Sequence, residues 1–198
     1  MAVTIEQVKN ILTRDEPNYI EAAQLGPEAI PHLQTILQEA DPLLASKAAY
    51  LASMINSDQA VDVVKEAATS EHAEVRAAAA AATRNLPQKP VTDVLSNLLD
   101  DGDVSVRKVT LKSISALGAS GADLGETKPK AGAKKGATKK GAAKKGAKKG
   151  AKKGFAAEAA EVADEGDTSL LAKVRRLAEE DADPYIREIA NDTLNRLP

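Results

Sequence analysis

The chain contains an internal repeat with a period of 31 residues. Ala45, Arg76 and Arg107 stand in register. Apolar residues agree one position earlier and ten positions later, as Leu44, Val75 and Val106 and as Ile55, Leu86 and Leu117. A fourth copy aligns at Arg187, 80 residues after Arg107, so 49 additional residues separate the third and fourth copies. Repeats of this length bury their apolar faces by stacking, because one copy alone is too small to form a core.

Each copy divides into two helical patterns. In the third copy the first pattern has the i, i+3, i+4 spacing of an amphipathic helix, with Val91, Val94, Leu95, Leu98 and Leu99. The stretch DDGD at 100–103 interrupts it, and the spacing resumes at Val106. Asp103 and Asp183 stand where the second helix needs an N-cap. The sequence therefore predicts an all-α fold, a short α-solenoid of helical hairpins.

Two segments carry a shared motif, DGDVSVR at 101–107 and DADPYIR at 181–187. This motif resembles the HEAT repeat and its HEAT-like relatives. The second copy, SEHAEVR at 70–76, keeps the valine and the arginine, whereas the first, ADPLLASKAA at 40–49, has Ala45 in place of the arginine. HEAT-like repeats occur in scaffolds, transport factors, chromatin proteins and lyase-related proteins, so the resemblance implies a fold and leaves the activity open.

The resemblance also implies a structural role for the charged residues of the motif. In HEAT-like arrays such side chains form a ladder of hydrogen bonds between neighbouring repeats, here Arg76, Arg107 and Arg187 with Asp103 and Asp183. A buried arginine needs a carboxylate partner. We therefore expect these residues to be structural and not catalytic.

We expect four parts along the chain. Residues 1–25 form an N-terminal capping hairpin, and residues 26–118 form three HEAT-like repeats. Residues 119–167 form a disordered linker that contains a basic tract at 128–153. Residues 168–198 form a fourth repeat that docks on the third, because its apolar surface is too large for a lone hairpin to expose to water.

The basic tract carries twelve lysines and no acidic residue. They are Lys128, Lys130, Lys134, Lys135, Lys139, Lys140, Lys144, Lys145, Lys148, Lys149, Lys152 and Lys153. Frequent glycines disfavour a helix, and alanine and lysine supply no apolar core, so we expect the free tract to be disordered. The rest of the chain has 15 Lys and Arg against 29 Asp and Glu, an excess of 14 negative charges that the net charge of −2 conceals.

A lysine tract of this kind indicates a polyanionic partner. Lysine lacks the planar fork that reads guanine, and the tract has no aromatic residue on which bases could stack. Its composition resembles the tails of linker-histone-like proteins. We therefore expect binding to the phosphates of a nucleic acid, or to another polyanion, without sequence specificity. Pairing of the tract with its own acidic flank at 158–167 and a role as an inert spacer stay open.

The leading hypothesis is a non-enzymatic scaffold whose repeats hold a protein partner and whose lysine-rich loop binds nucleic acid. A pure protein–protein scaffold, with the loop on acidic protein segments, is the alternative. A lyase-related or DNA-repair role is a minor one. No residue pattern indicates a catalytic site, a cofactor or a metal, and the absence of cysteine excludes disulfides and thiolate metal sites. We expect a cytoplasmic protein, with nucleoid or chromatin association possible and without stable membrane insertion.

Overall fold

The structure, a computed structural model, describes residues 2–39, 41–122 and 169–197, apart from the side chains of residues 88–90. Within these residues every regular element is a helix. The ten α-helices are α1 (Ile5–Leu12), α2 (Tyr19–Ala23), α3 (Ile30–Leu37), α4 (Pro42–Met54), α5 (Asp58–Ala67), α6 (Ala73–Ala82), α7 (Gln88–Leu99), α8 (Val104–Ala119), α9 (Leu170–Glu180) and α10 (Pro184–Arg196). Short 3₁₀ turns precede α3 and follow α6.

Polar side chains start most of the helices. The side chains of Thr4, Asn18, Asp41, Ser57, Asp103, Ser169 and Asp183 each accept a hydrogen bond from a backbone N–H in the first turn. These bonds satisfy donors that a helix leaves free at its N-terminus. The predicted N-caps Asp103 and Asp183 are confirmed. The predicted break at 100–103 is confirmed as well, since α7 ends at Leu99 and α8 begins at Val104.

The helices form consecutive hairpins that stack side by side. The second helices pack in the order α4, α6, α8, α10, and the first helices pack in the order α3, α5, α7, α9. One apolar core runs along the array from Val8 in α1 to Ala190 in α10. The predicted all-α solenoid of helical hairpins is thereby confirmed for the described residues.

The last hairpin packs on the third despite the long insertion between them. Its apolar residues Leu170, Val174 and Ile186 are buried in the common core. The Thr193 hydroxyl lies 3.4 Å from the Leu111 carbonyl, and the Lys173 ammonium donates a 2.9 Å hydrogen bond to the Ser96 carbonyl. The two stretches of chain on either side of the insertion therefore share one core.

The first two helices pack on the hairpin that follows them. Val8, Leu12 and Ala22 are buried, and Tyr19 on α2 meets Tyr50 on α4 edge to face with ring centroids 5.0 Å apart. The predicted disorder of residues 119–167 lies outside the described residues from 123 onward. Up to that point α8 continues through Ala119. None of the described helices is both long and apolar enough to span a membrane.

Candidate functional site

Arg76 on α6 joins the second and third repeats. Its Nε and Nη2 donate to the two carboxylate oxygens of Asp101, at 2.7 and 2.9 Å. Its Nη1 donates to the Ser70 and Glu71 carbonyls of its own repeat, at 2.8 and 3.0 Å. The Asp101 side chain is only 7% exposed, so this two-point ion pair is largely shielded from water.

Arg107 on α8 repeats this arrangement between the third and fourth repeats. Its Nε and Nη2 donate to the Asp181 carboxylate at 2.8 and 2.9 Å, across 74 residues of sequence. Its Nη1 donates to the Asp101 and Gly102 carbonyls at 2.9 and 3.3 Å. The Arg107 and Asp181 side chains are 12% and 4% exposed. This ion pair, one rung of the ladder, holds the fourth repeat against the third.

The carboxylates of the ladder are Asp101 and Asp181, which corrects the expectation that Asp103 and Asp183 fill this role. The side chains of Asp103 and Asp183 instead accept hydrogen bonds from backbone N–H groups of their own helices, at distances from 2.7 to 3.3 Å. The aspartate two residues earlier lies in the loop that faces the preceding repeat. The signal was present in the sequence as the first aspartate of the shared D-x-D motif.

The two ladder carboxylates are held in their charged form. The hydrogen bond from Arg76 is the main cause that lowers the pKa of Asp101, and burial opposes it. Burial acts to raise the pKa of Asp181, but the hydrogen bonds from Arg107 and from the Asp183 N–H, with the charges of Arg107 and Arg187, outweigh it and lower the pKa. Both carboxylates therefore favour the folded state when ionised.

Arg187 on α10 makes only half of these contacts. Its Nη1 donates to the Asp181 carbonyl at 2.5 Å and reaches the Ala182 carbonyl at 3.5 Å. Among the described residues its Nε and Nη2 have no hydrogen-bond partner. Every fully buried side-chain nitrogen and oxygen in this part of the chain is hydrogen-bonded, so the Nε and Nη2 of Arg187 are not fully buried.

An open groove of about 530 Å³ lies between α8 and α10. Its apolar lining comes from Ala116, Ala119 and Ile189. Charged groups line it on both sides, with Lys112 on α8 and Glu188, Asp192 and Arg196 on α10. The Tyr185 ring also lines the groove, and the Lys108 ammonium lies 4.7 Å from the ring centroid. Sequence reasoning missed this groove, because its two walls are distant in sequence.

The groove has a small apolar surface that is surrounded by charged groups of both signs. Such a surface suits a polypeptide segment better than a small substrate, because no nucleophile is paired with a base on its walls. Across the part of the chain that the structure describes, no group of three or more acidic or histidine side chains could hold a metal ion. The twelve lysines predicted to bind nucleic acid lie outside the described residues.

Comparisons with known proteins bear on the fold. Residues 30–115 match a family described as HEAT repeats. No curated protein matches the chain in sequence. One similar solved structure is the complex of CpcE and CpcF of phycocyanin lyase from Nostoc sp. PCC7120, with 16% identity, a TM-score of 0.59, and coverage of 96% of this chain and 97% of that chain.

A second similar structure is a computationally designed armadillo repeat protein for modular peptide recognition. It shares 16% identity and has a TM-score of 0.54, with coverage of 98% of this chain and 74% of the designed chain. At this identity both likenesses concern the fold alone. Residues 30–115 are therefore of the HEAT-repeat type, and the described residues have the fold of a HEAT- and armadillo-like solenoid.

Proposed function

We propose that this chain is a non-enzymatic scaffold that holds a protein partner on its repeats and a polyanion on its lysine tract. The observation that supports protein binding is the open groove between α8 and α10. Its volume of about 530 Å³ accommodates several side chains of a bound segment. The designed armadillo protein with a similar fold recognises peptides, which is consistent with this use of stacked helices.

The charges of the groove define the chemistry of the partner. Glu188 and Asp192 would pair with basic side chains, and Lys112 and Arg196 with acidic ones. The Ala116 and Ile189 surface would contact small or branched apolar side chains. We therefore expect a segment that alternates apolar residues with charges of both signs, since such a segment leaves no buried charge unpaired.

A selection experiment tests the groove. Peptides displayed on phage are selected on the full chain, and their affinities are measured by fluorescence anisotropy. Ala116→Arg fills the groove and should weaken binding at least tenfold. Asp62→Arg, on the exposed face of α5, should leave affinity unchanged. Peptides that bind the Ala116→Arg variant as well as the native chain would place the site elsewhere.

The lysine tract supports the second half of the proposal through its charge. Twelve lysines without an intervening acid favour contact with phosphates, and the acidic remainder of the chain is repelled by them. Engaging eight lysines on duplex DNA gives a log–log salt slope of about −7, at about 0.9 per phosphate contact. Binding should therefore be strong at low salt and much weaker at physiological salt.

Gel-shift titrations at several salt concentrations measure this slope and identify the polyanion. Duplex DNA, single-stranded RNA and anionic vesicles are compared, with DNAs of different sequence as the test of non-specific recognition. We expect equal affinity for unrelated DNA sequences and a steep salt slope. Absence of binding to all three probes at low salt would favour the alternative, a protein–protein scaffold whose loop pairs with acidic protein segments or with its own acidic flank.

A phycocyanin-lyase role is the second candidate, because the complex of CpcE and CpcF matches 96% of this chain in fold. In the described residues no site for chemistry supports it. A change in the absorbance spectrum of phycocyanin on incubation with the protein would favour this role over the scaffold.

A further inference from the structure

The loop before each second helix follows a pairing rule along the array. An acidic residue two positions before the N-cap pairs with a basic residue of the preceding hairpin. Asp101 pairs with Arg76, and Asp181 pairs with Arg107. Glu39, two positions before the N-cap Asp41, also pairs with a base of the preceding hairpin, at 2.7 Å, but this base is Lys9 on the first helix α1 and about a third of each side chain is exposed.

The one internal junction without this pair lacks both partners. Ser70 stands two positions before His72, the N-cap residue of α6. The loop of the second repeat therefore has no acid at this position. The basic position that would face it is occupied by Ala45. The arginine–aspartate pair is therefore present at the last two junctions, and both of its partners are missing at this one.

The last described hairpin carries a base without a carboxylate partner among the described residues. The Nη1 of Arg187 binds the Asp181 carbonyl of its own loop, as the Nη1 atoms of Arg76 and Arg107 bind theirs. This shared contact holds the guanidinium of Arg187 in the same orientation relative to its loop. Its Nε and Nη2, which in Arg76 and Arg107 bind the next carboxylate, have no partner among the described residues and are not fully buried, so they are available to a carboxylate.

The first described hairpin carries an acid without a basic partner among the described residues. Glu16 stands two positions before Asn18, the N-cap of α2, which is the position of the ladder acids. Its side chain is exposed and has no ion pair among the described residues. Lys47 holds this loop through hydrogen bonds to the Leu12 and Arg14 carbonyls, at 3.0 and 3.1 Å.

We propose that two copies of this chain associate head to tail, with Arg187 of one copy gripping Glu16 of the next. The contact would continue the packing order in which each second helix lies against the following one, so α10 would meet α2. Ile20 on α2 is 73% exposed and would be covered in the same contact. Because the two surfaces differ, the association is heterologous, and it adds further copies to form rings or open chains instead of a two-fold dimer.

Sedimentation velocity on the full chain tests the proposal. The weight-average mass should rise with protein concentration, and Glu16→Arg should raise the dissociation constant at least tenfold. Glu6→Arg, an equal charge change on the exposed face of α1, is the matched control and should leave it unchanged. Arg187→Glu should act like Glu16→Arg, and circular dichroism checks that its own loop remains folded.

Mixing gives the decisive result. Each variant alone places like charges at the junction, whereas an equimolar mixture of Glu16→Arg and Arg187→Glu chains restores opposite charges at every contact. We expect the mixture to recover association. A native chain that stays monomeric at all concentrations, or a mixture that associates no better than either variant alone, would overturn the proposal.

Discussion

Arg107 is the side chain on which the last junction of the array depends. It binds two carbonyls of its own loop and the carboxylate of Asp181, which is 4% exposed. Removing the guanidinium leaves that carboxylate with the Asp183 N–H as its remaining hydrogen-bond donor. A nearly buried charge without its partner strongly disfavours the folded state.

Arg107→Ala should therefore lower the free energy of unfolding by about 2–4 kcal/mol. Urea unfolding followed by circular dichroism measures the change. Arg175→Ala, on the exposed face of α9, is the control and should cost less than about 0.5 kcal/mol. Equal stability of Arg107→Ala and the native chain would show that the rung contributes nothing to docking of the fourth repeat.

The pKa of Asp181 is lowered in the fold, and this sets the sign of a pH effect. The stabilisation is fully present above the ordinary aspartate pKa of about 3.9 and is lost as the pH falls through the lower folded value. Asp181→Asn should therefore be less stable than the native chain at neutral pH. The difference in unfolding free energy should shrink as the solution is acidified below about pH 4.

Urea unfolding at a series of pH values gives both curves. A difference that stays constant from neutral to acid pH would mean that ionisation of Asp181 is irrelevant to the junction.

The arginines of the ladder could be identified from the sequence, because their motif repeats. The sequence did not show which of the two aspartates of the D-x-D motif pairs with the arginine. An N-cap and an ion pair with arginine both suit aspartate, so residue type alone could not separate the two roles.

At the scale of the helix, small residues decide how closely the second helices approach. Ala79 on α6 is fully buried, and its equivalents in the other copies are Ala48, Thr110 and Ala190, all of them buried. Two positions later stands Ala81, whose equivalents are the larger residues Tyr50, Lys112 and Asp192. The array thus accepts large side chains at the second position but only alanine or threonine at the first.

Ala79→Leu should destabilise the protein by about 1–3 kcal/mol, because the added atoms force neighbouring helices apart. Ala81→Leu adds the same volume where larger residues are accommodated in other copies, and it should be nearly neutral. Thermal melting of both variants decides the point. If Ala81→Leu is as harmful as Ala79→Leu, the equivalence of the copies does not extend to packing.

The helices themselves could be predicted from the spacing of apolar residues, with the break at 100–103 and the caps Asp103 and Asp183 in place. The groove could not be predicted in this way. Its lining consists mainly of exposed residues of α8 and α10, and the surface positions of a helix follow no periodic rule that marks a binding site. The contact of Lys108 with the Tyr185 ring is of this kind.

At the scale of the whole molecule, the fourth repeat packs on the third although 49 additional residues separate the two copies. Closing a loop of about 50 residues costs about 3.5 kcal/mol, because loop-closure entropy grows only slowly with length. Burial of Leu170, Val174, Leu177, Ile186 and Ala190, together with the rung at Arg107, offsets that cost. The array can therefore accept the insertion without losing its last repeat.

The central claim is a division of labour, in which the repeats supply the fold and the protein contact and the lysine tract supplies polyanion binding. Deletion of residues 128–154 tests it most directly, since this removes all twelve lysines of the tract and no described residue. Circular dichroism and thermal melting of the variant should match those of the native chain. In a gel-shift titration at low salt, duplex DNA binding should be lost in the variant and present in the native chain. Retained binding by a folded variant would place the polyanion site on the repeats and contradict the account.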